Sequence, residues 1–95
     1  MSRPRQTKEL RDAAAKDAFR LEIKLQRIHY DMTQGELADH AGMDRSVMSR
    51  FLADPDKLSV GRLRKIIHVL DLNPLTILAL LGYDPRAIQN INKEQ

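Results

Sequence analysis

QGELADHAGMDRSVMSRFLA, residues 34–53, is the stretch on which the fold turns. Ala38, Gly42, Met48 and Phe51 fall where two short helices need a small residue, a tight corner and two core anchors. Ala38 supplies the small side chain at the helix crossing. Gly42 reaches positive φ without steric cost and suits the corner. Met48 and Phe51 are three apart and share one helix face, which leaves Arg45, Ser46, Ser49 and Arg50 on the other. One side is apolar and the other carries short polar groups and arginine.

Outward from this stretch the chain reads as helices and connections, with little that looks like strand. Leu10, Ala14, Ala18, Leu21, Leu25 and Ile28 form one continuous helical stripe, with Arg20, Lys24 and Arg27 on a different face. Thr7 is placed to cap the start of that helix, and Asp31 lies near its end. Thr33 caps a helix from Gln34 to about Ala41, with Glu36 in its first turn. Asp44 caps the next, from Arg45 to Leu52. Ser59 caps a fourth running to about Leu70, with Leu63, Ile66, Ile67 and Leu70 inward. Asn73-Pro74 is a cap followed by proline at the first helical position, and Gly82 ends that fifth helix. The expected architecture is all-α, a compact five-helix bundle.

At 95 residues the chain suits one modest core. The expected organisation is a basic flexible arm at 1–6, a helical domain at 7–84 with its motif at 34–53, and a short C-terminal helix and tail at 85–95. Cysteine is absent, which removes disulfides, thiolate metal sites and thiol nucleophiles. No apolar run approaches a membrane span, and MSRPRQTKEL contains no signal-type segment, so a reducing cytoplasm is the expected compartment.

The formal net charge is only +3, but its distribution is uneven. Residues 1–30 hold eight Lys or Arg against four acids; residues 31–44 hold four acids and no Lys or Arg; residues 45–65 hold six bases against two acids. A basic footprint split between the first helix and the 45–65 segment suits a polyanion. Catalysis finds no support. His29, His40 and His68 share no metal-like spacing, Asp54 and Asp56 merely flank Pro55 in a turn, and no glycine loop cradles a phosphate. Met32, Met43 and Met48 fit core positions. No metal or other cofactor is expected.

The segment from about Arg27 to Ile77 resembles the phage-repressor type of helix-turn-helix (the XRE group). The resemblance rests on Met32-Thr33-Gln34, Glu36-Leu37-Ala38, Gly42, Arg45-Ser46, Met48-Ser49-Arg50-Phe51, Ser59, Leu63 to Leu70 and Asn73-Pro74-Leu75-Thr76-Ile77. It implies a lambda-repressor-like DNA-binding domain whose third helix enters the major groove of double-stranded DNA. Residue by residue, Thr33 and Gln34 match phosphate-contacting positions. Arg45, Ser46, Ser49 and Arg50 match base-reading ones. Asp44 is a cap and a base or phosphate neighbour, and Lys57 is placed for a further phosphate. Leu52 stands where the family often has a Glu paired with an Arg at the position of Arg27, so Arg27 is expected to be free to meet a phosphate. Asp54 replaces the usual glycine after the reading helix, so this loop takes its own conformation.

The fifth helix, LTILALLGY, is apolar nearly all round, which points to a homodimer through Leu75, Leu78, Leu81 or Tyr83. A dimer would read a palindromic operator with half-sites roughly 34 Å apart. With no second domain or small-molecule effector site evident, occlusion of a promoter is the simplest output. Two alternatives use the same residues: an antitoxin that binds a toxin and its own operator, and a protein-interaction module without DNA binding.

Overall fold

The computed structural model describes residues 4–84, and the final helix and tail expected at 85–95 lie outside them. Among the described residues every regular element is helical: α1 (Pro4–His29), α2 (Gln34–His40), α3 (Arg45–Ala53), a short 3-10 turn (Pro55–Lys57), α4 (Val60–Val69) and α5 (Pro74–Leu80). The chain divides into two units. One is Arg20–Leu72; the other joins the described residues of 1–19 with those of 73–95.

Local chemistry sets most of the boundaries. Thr33 and Glu36 form a reciprocal capping box, in which the Glu36 backbone N–H donates to Thr33 Oγ1 at 3.1 Å and the Thr33 N–H donates to Glu36 Oε1 at 3.2 Å. Hydrogen bonding to the carboxylate from the Thr33 backbone N–H, and after it from the Thr33 side chain, holds the Glu36 carboxyl below its ordinary value of 4.5. Ser59 Oγ accepts from Arg62 N–H, and Asn73 Oδ1 accepts from Leu75 N–H with Pro74 at the first helical position. Asp44 takes the N-cap backbone of α3, yet its side chain makes no capping bond, contrary to expectation.

Three helices end in the same six-to-one, five-to-two hydrogen-bonded corner. At Gly42 (φ +67°) the Met43 N–H reaches Ala38 O and the Gly42 N–H reaches Asp39 O. Gly82 closes α5 likewise through Tyr83 N–H to Leu78 O. At the end of α1 the corner residue is Asp31, φ +51°, a residue type that tolerates the left-handed region better than most. The helix begins at Pro4, so Thr7 lies inside it and does not cap it. Proline in the first turn forfeits only an N–H that has no intrahelical partner.

Within Arg20–Leu72, α2 packs against α3 and α4, and α3 against the 3-10 turn. Ile23, Leu37, Ala38, Ala41, Met43, Met48, Phe51, Leu63, Ile66, Leu70 and Leu72 are buried there. Met32 is only half-buried, and Ile67, expected inward, is exposed. In the other unit Phe19 and Ile77 are buried, and Arg11 pairs with Asp84 at 3.4 Å.

The largest departure lies on α1. Its buried apolar residues are Phe19 and Ile23, four apart, while Leu10, Leu21, Leu25 and Ile28 of the long stripe are 55–72% exposed. Two apolar rows run along one helix, and the shorter row is the one that is buried.

Two outcomes follow for stability. Met48→Ala is expected to cost about 2–5 kcal/mol in urea denaturation, whereas Ser49→Ala, one residue on and exposed, stays within about 0.5 kcal/mol. Because the folded Glu36 carboxyl titrates below 4.5, its contribution is complete above that value and is lost as pH falls through the folded one. Wild type should therefore lose more stability in acid than Glu36→Gln does; parallel acid-unfolding curves would show the carboxylate to be idle.

Candidate nucleic-acid interface

Phe51 (4% exposed) and Met48 (fully buried) anchor α3 from behind. Arg45, Ser46, Ser49 and Arg50 are all exposed. The C-terminus of α3 is held by Arg20 of α1, whose Nη1 donates to the carbonyls of Leu52 and Ala53 at 3.1 and 3.4 Å. These carbonyls lie at the negative end of the helix, where a guanidinium is favoured twice over, by hydrogen bond and by dipole. Arg20 thus ties the end of α3 to α1 from outside the motif.

Arg45 is not loose in solvent. Its Nη2 donates to Asp39 Oδ2 on α2 at 3.0 Å, and this bond raises the Arg45 pKa further from neutrality. Its guanidinium also lies across the start of α2, because a Cβ added at Gly35 would meet Arg45 Cζ at 2.8 Å. Gly35 and Asp39 are four apart on one face of α2 and together form a bed for the arginine. Arg50 folds back along its own helix, with Nε donating to Ser46 O at 3.4 Å.

Thr33 and Gln34 occupy the cap and first residue of α2, the former committed to the capping box and the latter half-buried. Asp44 is exposed at the start of α3, beside Arg45. Lys57 ends the 3-10 turn. A shallow pocket of about 210 Å³ is lined by Val47, Arg50, Phe51, Lys57 and Arg62, bringing three cations to one place. Arg62 lies over the Phe51 ring, 5.3 Å from its centroid, a cation–π contact that keeps its head beside the end of α3. Arg62 is not among the residues that the family resemblance singles out. Its signal was its place three residues after the Ser59 cap, in the first turn of α4 within the basic 45–65 segment.

Arg27 departs from expectation. Its Nη1 donates to Met32 O at 3.3 Å, while its Nε is buried without a partner. With Leu52 in place of an acid, the side chain turns to the Met32 carbonyl just past the corner that ends its helix rather than standing free for a phosphate. Asp54, after α3, accepts from Asp56 N–H and starts the 3-10 turn. Among the described residues no group of three His, Cys, Asp or Glu is placed to hold a metal, and no helix is long and apolar enough to cross a membrane.

The bed under Arg45 has a measurable signature. Asp39→Asn should leave stability nearly unchanged, as expected for an exposed pair. The Arg45 Nε–H should meanwhile lose order in ¹⁵N relaxation. A larger loss of stability would mean that the pair fastens α2 to α3.

A helix-turn-helix family model matches residues 23–78, more than half of the chain, and spans α2, α3 and α4 whole. No curated protein and no solved structure matches the sequence. The matched segment contains the glycine corner, the buried Ala38, Met48 and Phe51 and the exposed arginine face. This chain belongs to the phage-repressor-type helix-turn-helix family, whose members are DNA-binding transcription regulators.

Proposed function

We propose that this protein is a sequence-specific repressor that occupies a palindromic operator as a homodimer, in the cytoplasm and without a cofactor. The observation that carries the reading is the division of α3: Met48 and Phe51 are buried, while Arg45, Ser46, Ser49 and Arg50 are exposed together. Arg45 and Arg50 read base edges in the major groove, where a bidentate arginine–guanine pair discriminates by about 1–3 kcal/mol. Ser46 and Ser49 contact bases or phosphates between them, and Asp44 borders the same groove. Thr33 and Gln34 meet the backbone at the start of α2. On the other flank Lys57 grips phosphate, and Arg62, joined to Lys57 and Arg50 in one pocket, belongs to the same grip.

Two copies supply two reading helices, one per half-site, roughly 34 Å apart. Leu75, Leu81 and Tyr83 are exposed, which supports α5 and the corner after it as one place for the copies to meet, although Ile77 is buried and Leu78 half-buried. Occupation of the operator excludes other proteins from that DNA, and this is the mode of repression.

The test is a titration against the DNA flanking its own gene and a scrambled control, over a range of salt. The expected result is an affinity ratio of about 10³ or more, with log affinity falling linearly in log salt. Arg45→Ala and Arg50→Ala should each lower specific affinity by about 1–3 kcal/mol and narrow that ratio. Lys57→Ala should weaken both DNAs alike and reduce the salt slope by about 1. Absence of binding to either DNA at low salt would end the DNA reading.

A further inference from the structure

We propose that Asp39 and Gly35 of α2 are positioning residues for base reading, holding the Arg45 guanidinium flat against α2 with one bidentate edge free for guanine. The inference rests on the reading of Arg45 as a base contact, and it adds two residues that touch no base themselves. Arg45 is the first residue of α3, and its side chain is 69% exposed, yet it is held on two sides. From one edge, Nη2 donates to Asp39 Oδ2 at 3.0 Å. On one face lies Gly35, where an added Cβ would stand 2.8 Å from Cζ and 2.9 Å from both Nε and Nη1. Near-equal distances to three atoms of one plane put that point over the guanidinium face. The plane therefore lies against the α2 backbone.

Stability does not account for either feature. An exposed ion pair adds little to it, and glycine within a helix is unfavourable relative to alanine. What Gly35 supplies is room, and what Asp39 supplies is direction. The two are four residues apart on one face of α2. Glu36, the other carboxylate beside Arg45, is engaged by the Thr33 N–H. A guanidinium carries five N–H donors in a rigid fork, with two bidentate edges that share Nη2. A single bond to Asp39 takes one Nη2 hydrogen and leaves the other, so one whole edge remains for the O6 and N7 of guanine. Arg50, by contrast, is held by a carbonyl of its own helix. The Asp39 carboxylate also offsets the pull of Arg45 on phosphates, which directs its contribution to base reading.

The test is selection from a fully randomised duplex DNA library by the full chain and its variants, followed by affinities for a selected and a scrambled duplex. Arg45→Ala identifies the position that Arg45 reads, where a guanine preference of roughly 5- to 150-fold should vanish. Asp39→Asn and Gly35→Ala should each lower that same preference about threefold or more and leave the other positions unchanged. Combined with Arg45→Ala, neither should have a further effect there. Asp39→Asn removes a negative charge and should also bind the scrambled duplex more tightly. Gly35→Ala, which only evicts the flexible end of Arg45, should not. Alanine at this helical position favours folding, so the second variant remains informative should the first not fold. A wild type that selects no sequence would remove the DNA reading, and this inference with it. Full guanine preference in either variant would overturn the inference alone. So would an Asp39→Asn variant that loses a cytosine at a separate position, the mark of Asp39 accepting directly from a base.

Discussion

The corner at Gly42 is the constraint from which the rest of the motif follows. A backbone at φ +67° lets the chain leave α2 and start α3 within four residues, while the Met43 N–H closes onto Ala38 O. Any side chain at Gly42 would meet little in space, so the demand there is on the backbone rather than on volume. Ala38, fully buried, accepts that closing bond and leaves room for the next helix to pack against α2. Once the two helices are so joined, Met48 and Phe51 reach the core, and the opposite face of α3 is turned out.

What the sequence made legible was governed by neighbours a few residues apart. The caps at Thr33, Ser59 and Asn73, the corner glycines, and the two faces of α3 each depend on interactions inside one or two turns. Periodicity reported that α1 is a helix and that its long row shares one face, but it could not weigh that row against Phe19 and Ile23. Two apolar rows on one helix look alike until a partner claims one of them. Ile67 misled for the same reason: a residue at the margin of a helix face is decided by what packs there, not by spacing.

The candidate site was legible in its residue types and not in its pairings. Arg45 and Arg50 stand out in sequence, whereas Asp39 as the partner of Arg45, six residues earlier and on another helix, follows only from the angle between α2 and α3. Arg20 reaching the last carbonyls of α3 spans 32 residues, and no local pattern announces it. Arg62 joins Lys57 and Arg50 only after the 3-10 turn has brought α4 beside α3. Arg27 is the converse case, in which a missing acid at position 52 signalled an unusual partner but not that the Met32 carbonyl would take its place.

The division of α3 into an anchored back and an unburdened front separates two kinds of inheritance. Changes at Met48 or Phe51 disturb the packing on which the whole unit relies, so substitutions there are costly. Positions 45, 46, 49 and 50 contribute almost nothing to the core, and substitution at such surface sites leaves stability nearly unchanged. The front of this helix can therefore change without disturbing the scaffold behind it, and a lineage could exchange one set of outward side chains for another without passing through an unfolded ancestor.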